Sequence, residues 1–455
     1  GIGAAGDKLG FGPTMINHNH GSTGVCGPAY YAADHFPPAY RDSVFICNPV
    51  TGRLHCDKLK DFGSTHQCNT QPDFIVADDN KWFRPVDAIV GPDGALYIAD
   101  FCNLIIGHYE APLDHPDRDR THGRVWRVVW RGEDGKGPPP AAAPDMTKLS
   151  AAAVAEKLGD PNLLVRVLAT NYLIDAHPDS AAALATGALA RSDNPFAQAH
   201  ALWVIERLGG LSDAQIDRLA GDVDALVRIH LVRALAQRAT WNDTCERVAL
   251  AGLQDSDPFV RRASADALGL HPAASFVPPL LAAWDAAAAE DTHLIHTLRL
   301  AVAAHTRDER TCAELATLSL SGGALARVLE IASLTESSAA APLLLEHAQP
   351  GAVAPEVLMQ AARQIARYGS GAQLDRVIER GPQWFADDGE RQTELIAEIV
   401  AGMAEKGARP QDDARFRAWL ARLAPAAIAQ LQAAPAQWQR APVEGLAASA
   451  SPFGV

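Results

Sequence analysis

Lys81-Trp82-Phe83-Arg84-Pro85-Val86-Asp87-Ala88-Ile89-Val90-Gly91-Pro92-Asp93-Gly94-Ala95-Leu96-Tyr97-Ile98-Ala99-Asp100 is the stretch that decides the fold. Pro85–Val90 and Ala95–Asp100 carry β-branched and aromatic residues, which suit a pleated surface, and they flank Pro92-Asp93-Gly94. Glycine reaches the positive φ of a tight turn, so the two runs predict an antiparallel hairpin. Beyond it lies a polar segment rich in Asp and His. Then comes Thr121-His122-Gly123-Arg124-Val125-Trp126-Arg127-Val128-Val129-Trp130-Arg131. Leu104–Tyr109 and Arg124–Val129 predict two further strands.

Upstream the same rhythm occurs once more. Pro28–Ala32, Ser43–Asn48, Arg53–Leu59 and Phe74–Ala77 read as strands, with turns at Pro49-Val50-Thr51-Gly52 and Asp78-Asp79-Asn80. Repeated antiparallel units of about four strands mark the blades of a β-propeller. Residues 1–131 therefore read as a partial β-propeller of about two blades. Closed propellers take roughly four to eight blades, and open sheet edges are avoided. The expectation is that the ring does not close within these residues. The missing blades would lie in a longer parent chain or come from another one.

Residues 132–145 are Gly- and Pro-rich and predict a linker, partly stiffened by Pro138-Pro139-Pro140. From Met146 the composition turns to Ala, Leu, Arg and Glu. Asp160-Pro161, Asp222-Val223-Asp224 and Asp257-Pro258 each precede a Val-Arg pair, and Val165, Val227 and Val260 recur at intervals of 62 and 33 residues. Asp193-Asn194-Pro195-Phe196 fills the gap with a weaker copy. An Asp before each helix can accept from its free N–H groups, and proline suits the first turn. Val227, Leu231, Ala234 and Leu235 share one face, as do Val260, Ala263, Ala267 and Leu268, which is the apolar stripe of a packed helix. Residues 146–432 thus predict an α-solenoid of HEAT-like repeats, with 433–455 an extended tail. The Val-Arg pairs read as structural. The fold class is β followed by α, in a multidomain chain.

The net charge of −14 over 455 residues argues against a nucleic-acid partner, since phosphate backbones need a basic surface. No stretch is apolar over the length of a membrane span. Five of seven cysteines, Cys26, Cys47, Cys56, Cys68 and Cys102, crowd the first quarter. Such crowding favours local disulfides in an oxidising compartment, against the alternative of buried free thiols. Cys26 with Cys47 and Cys56 with Cys68 are the candidate pairs, although four cysteines allow three connectivities. No spacing matches a zinc knuckle or a Cys-x-x-Cys-His haem site.

One order of motifs carries a family resemblance: Gly27-Pro28-Ala29-Tyr30-Tyr31, Phe36-Pro37-Pro38-Ala39-Tyr40-Arg41, Val44–Val50, Trp82–Asp87, Gly91–Asp100, Ile106-Gly107-His108 and Thr121–Val128. It resembles the planctomycete and verrucomicrobial (PVC-type) membrane-bound dehydrogenases, also named PVC-type haem-binding proteins. The resemblance covers about residues 22–131. It implies a propeller similar to soluble sugar dehydrogenases, joined to HEAT repeats and commonly followed by a cytochrome c module. It also implies an extracytoplasmic location. Any haem would sit on a part of the parent protein outside these residues.

Three places are candidate sites. His108, Asp114, Asp117, Asp119, His122 and Arg124 lie in or beside one polar loop. Carboxylates suit Ca²⁺ and imidazoles suit transition metals, while interleaved Arg118 and Arg120 suit a self-satisfied structural loop. His18 and His20 share one face of an extended segment, as metal ligands can. His20 is the candidate general base, by analogy with sugar dehydrogenases. Trp82 and Arg84 suit contact with a sugar or quinone, or packing between blades. Two functions stay open. One is a sugar or alcohol dehydrogenase passing electrons to a haem domain or partner. The other is a non-catalytic scaffold whose solenoid holds a protein partner, such as a cytochrome c module or the missing blades.

Overall fold

The computed structural model describes residues 24–77, 79–106, 112, 114–191, 193–386, 388–408 and 413–433. The first sheet contains β1 (Cys26–Tyr30), β2 (Ser43–Asn48), β3 (Arg53–Phe62), β4 (Thr65–Thr70) and β5 (Ile75–Val76). Its order is β1-β2-β3-β4, with β5 beside the start of β3. The second is β6 (Pro85–Val90), β7 (Leu96–Asp100) and β8 (Arg124–Val128), in sequence order. Every pairing is antiparallel.

The hairpin at Pro92-Asp93-Gly94 forms as the sequence predicts. Gly91 and Ala95 close it, and Gly94 sits at φ 78°. β4 was not predicted, because Thr65–Thr70 has no apolar alternation and is almost wholly exposed. It is held by its backbone ladder to β3 and by one side-chain pair, His66 Nδ1 lying 2.9 Å from the opposed Asp61 carboxylate. Conversely, no strand forms over 104–106, the described part of the predicted Leu104–Tyr109. There the carbonyls of Asn103 and Leu104 accept from the Arg84 guanidinium instead of a neighbouring strand.

One aromatic core serves both sheets. Tyr31, Phe36, Phe45 and Leu54 meet Leu96 and Ile98 there. Tyr31 stacks on Phe36 with centroids 4.4 Å apart, donates to the Gly94 carbonyl at 2.7 Å and accepts from the Phe36 N–H at 2.9 Å. Gly27, at φ 52°, allows the sheets to touch: a Cβ there would lie 2.4 Å from the Asp87 Cα.

The helices are α1 (Ala151–Glu156), α2 (Leu163–Ala176), α3 (Pro178–Arg191), α4 (Pro195–Arg207), α5 (Asp213–Ala220), α6 (Ala225–Ala236), α7 (Asp243–Gly252), α8 (Pro258–Leu270) and α9 (Val277–Ala286). They continue as α10 (Thr292–Arg307), α11 (Glu309–Leu315), α12 (Gly322–Leu334), α13 (Ala340–His347), α14 (Pro355–Tyr368), α15 (Gly371–Trp384), α16 (Gly389–Glu405) and α17 (Ala414–Ala433). The chain divides into two compact units. The first runs from the sheets through Val248 with Ser256–Val260, and the second holds Ala249–Asp255 and the described residues from Arg261 onward.

In the first unit α2, α4 and α6 pack side by side. In the second, α10, α12, α14 and α16 form one row and α11, α13, α15 and α17 another. The capping residue is Asn or Asp in four successive copies. Asn162, Asn194, Asp224 and Asp257 each accept from backbone N–H groups of the first turn. Asp160 and Asp222 sit two residues earlier than the cap and brace it, accepting from the Asn162 and Asp224 N–H groups. The repeated arginine is indeed structural. Arg166, Arg228 and Arg261 each return a guanidinium N–H, at 2.7 Å, to the carbonyl six residues earlier.

The predicted linker does not separate the sheets from the first helices. Asn162 Nδ2 donates to the Gly91 carbonyl and the Leu163 N–H to the Ala32 carbonyl, both at 2.8 Å. The start of α2 is therefore docked on the sheets, and the compact unit extends through 248 rather than ending near 131.

Candidate functional site

Among its described residues, the polar loop singled out from the sequence makes bonds largely within itself. Asp119 turns back on its own chain, accepting from the Thr121 and His122 N–H groups and from the His122 ring at 2.8 Å. These bonds, the Thr121 N–H first, hold its carboxyl down at about 2. His122 is exposed, as are Asp114 and Asp117. Arg118 Nε donates to the Pro112 carbonyl. His108, His18 and His20 lie outside the described residues. Among the described residues no three His, Cys, Asp or Glu side chains gather as a metal ion requires.

Arg124 pairs with Asp100, a buried residue at the end of β7. Asp100 Oδ1 accepts from the Arg84 and Cys102 N–H groups, and Oδ2 from Arg124 Nε and Trp126 Nε1, all at 2.8–2.9 Å. Arg84 is a strut. Beyond Asn103 and Leu104, its guanidinium reaches the Pro49 and Val50 carbonyls, tying the turn after β2 to the second sheet. Trp82 is exposed.

The cysteine pairs divide. Cys26 and Cys47 are directly opposed across β1 and β2 and border the shared core. Their thiols are unbonded, and burial pushes Cys47 up to about 12. Cys56 and Cys68 cannot pair, which corrects the sequence expectation. Cys68 faces Leu59, and Cys56 lies three residues away on β3, so the two side chains leave opposite faces.

Elsewhere in the first unit, a cavity lies where α2, α4 and α6 meet the end of β1. It is a cleft of about 650 Å³. Tyr30, Asp34, Arg41 and Asp42 line its sheet side. Leu163, Arg166, Val167 and Thr170 line it from α2, Phe196, His200, Trp203 and Arg207 from α4, and Leu226 and His230 from α6. Asp42 holds a left-handed backbone, φ 57°, and accepts from Tyr30 Oη at 3.0 Å. Burial first, then Asp42, pushes the Tyr30 phenol up to about 12.

Arg166 is 3% exposed and lies over the Phe196 ring, its guanidinium carbon 4.4 Å from the centroid. One guanidinium nitrogen holds the Asp160 and Pro161 carbonyls, and Nε is buried without a partner. His200 Nδ1 is 2.8 Å from Thr170 Oγ1, and His230 Nδ1 is 3.0 Å from Trp203 Nε1. Burial, followed by the Arg166 charge, holds His200 down at about 4. Burial, followed by Arg233, does the same for His230. Both rings are therefore neutral near pH 7.

None of these cleft residues was a candidate from sequence alone. One signal was present: His200 and His230 stand six residues after the capping Asn194 and Asp224, the same position in consecutive repeats. The first unit thus joins two antiparallel sheets to capped helices around a cleft lined by aromatic and neutral imidazole groups. A family model described as a domain of unknown function, DUF7133, matches residues 8–132, which takes in the sheets. No curated protein matches the chain.

Proposed function

We propose that this chain is a propeller–HEAT protein acting outside the cytoplasm, and that its helices serve as a binding module for a protein partner. Two neighbouring antiparallel sheets on one core support reading them as adjacent propeller blades. Helix rows with a repeated cap and a repeated inward arginine support HEAT-like repeats. The crowded cysteines, with Cys26 opposite Cys47, support an oxidising compartment.

The observation that carries the binding reading is the contrast between two places. In the sheet loop, Asp119 and His122 bond each other and the local backbone, and Arg124 is spent on Asp100. The cleft under α2, α4 and α6 instead presents exposed aromatic surface and imidazole nitrogens. The motif order that resembles PVC-type dehydrogenases favours a second reading. In that reading the propeller oxidises a sugar or alcohol and a haem module takes the electrons.

The two readings separate by assay. The chain is offered a panel of sugars and alcohols with an artificial dye as electron acceptor, and in parallel titrated calorimetrically with a cytochrome c module. The binding reading expects no dye reduction, and a saturable complex weakened by Phe196→Ala. Dye reduction that depends on a sugar or alcohol would replace it with the enzymatic one.

A further inference from the structure

The hydrogen bonds around the cleft settle which nitrogen of each imidazole carries the proton. An indole N–H can only donate, so His230 Nδ1 accepts from Trp203 and its own proton sits on Nε2. Thr170 has one hydroxyl hydrogen, given to the Arg166 carbonyl at 2.8 Å. Thr170 Oγ1 must then accept from His200 Nδ1–H, which leaves a lone pair on His200 Nε2. The cleft therefore holds one acceptor and one donor at equivalent positions of two adjacent helices. Helices packed in this way lie about 8–10 Å apart.

The surroundings narrow the ligand. Phe196 is 45% exposed, Leu163 39% and Val167 37%, and all three line the cleft. Arg166 is covered and engaged by carbonyls, and Arg41 is engaged by the Phe36 and Asp34 carbonyls. The other charged residues lining the cleft are Arg207, set against the Trp203 ring, and Asp34 and Asp42, so neither sign dominates. A neutral ligand with one donor and one acceptor beside apolar groups fits this set. The peptide group is such a ligand, neutral and planar with one N–H and one C=O. An extended segment repeats it about every 3.4 Å and turns alternate side chains to one side, where they would cover Phe196, Leu163 and Val167.

We propose that this cleft binds the main chain of an extended apolar polypeptide segment, a peptide N–H donating to His200 Nε2 and a peptide carbonyl accepting from His230 Nε2–H. The proposal rests on the binding-module reading and names the part of the partner that is recognised.

The test uses the full chain with ¹⁵N-labelled histidine. It is titrated with a pool of end-capped hexapeptides of Ala, Val, Leu and Phe, each with one Lys for solubility, and the ring nitrogens are read by long-range ¹H–¹⁵N correlation. The His200 and His230 ring signals shift saturably. The same pool N-methylated at alternate amides binds about tenfold more weakly, the loss expected for one hydrogen bond. Trp203→Phe removes the indole donor that orients His230 and weakens the unmethylated pool by a similar factor. His200→Gln, which keeps an acceptor, retains more binding than His200→Leu.

Equal affinity for the N-methylated pool overturns the proposal. So do ring signals that stay still at millimolar peptide, or that move instead with a panel of mono- and disaccharides. If the peptides fail while the cytochrome c module still binds, the binding-module reading survives and only this proposal falls. Turnover of a saccharide removes both.

Discussion

Replacing Asp100 is the sharpest test of whether the second sheet is held by its polar groups or offers them to a ligand. The carboxylate is 3% exposed and receives four donors: two backbone N–H groups, the Arg124 guanidinium and the Trp126 indole. Asp100→Ala leaves all four without an acceptor. Removing one partner of a buried charged pair costs about 3–5 kcal/mol, and each orphaned neutral donor about 1–3 kcal/mol, without strict additivity. A loss of about 4 kcal/mol or more is therefore expected. Asp100→Asn keeps the oxygen facing the two backbone donors but turns an NH₂ group toward Arg124 and Trp126, so about half of that loss is expected. Urea unfolding followed by tryptophan fluorescence measures both, with Trp126 as a local reporter. Asp119→Ala, which breaks only a local turn, should cost much less than Asp100→Ala. If Asp100→Ala costs less than about 1 kcal/mol, or if Asp119→Ala costs more than Asp100→Ala, the division between a structural strut and a local turn is wrong.

Three further outcomes are expected. His200 and His230 have folded pKa values near 4, below the usual 6.5, so each favours the neutral form in the fold. The stability they contribute is present above about pH 6.5 and is lost as pH falls toward about 4. With allowance for residual hydration this is about 1–2 kcal/mol per ring; a His200→Gln, His230→Gln double variant with the same pH dependence of unfolding as the native chain would contradict it. Cys26 and Cys47, opposed across β1 and β2, should form a disulfide when treated with glutathione disulfide, releasing two glutathiones. Closing that loop of about 20 residues stabilises by about 3 kcal/mol, whereas Cys56 and Cys68 should give no mutual crosslink on peptide mapping. Gly94→Ala meets both a φ of 78° and a His35 Cβ at 2.7 Å, while Gly135→Ala meets a φ of 70° with nothing within 4 Å. The second variant should lose about 1 kcal/mol and the first about 2–3 kcal/mol in thermal unfolding, and equal losses would show that the His35 contact yields freely.

Legibility followed the physical origin of each feature. The hairpin at Asp93-Gly94 was visible because both its signals are local, a period of two and a residue tolerant of positive φ. The helices were visible for the same reason, since the capping Asn or Asp and the apolar stripe lie within one turn or one helix. β4 was invisible because an exposed edge strand needs no apolar alternation. The loop from Asp114 to Arg124 attracted notice through its density of ionisable groups. Density does not distinguish a ligand set from groups that satisfy one another, and Asp119 and His122 do the latter. Asp100 looked like one residue at the end of a strand, because three of its four donors come from residues two, twenty-four and twenty-six positions later in the chain.

By itself, then, the sequence determined the order of β before α, the hairpin, the repeat with its caps and structural arginines, and the negative charge. All of these are set by neighbours a few residues apart or by composition. Tertiary structure alone decided that Cys56 turns away from Cys68, that Arg124 serves Asp100, and that the first helices dock on the sheets through Asn162 and Leu163. It alone assembled the cleft from β1, α2, α4 and α6. There a threonine and a tryptophan fix the protons of two imidazoles, and burial keeps both rings neutral. Such relations depend on which surfaces pack together, and no local pattern carries that information.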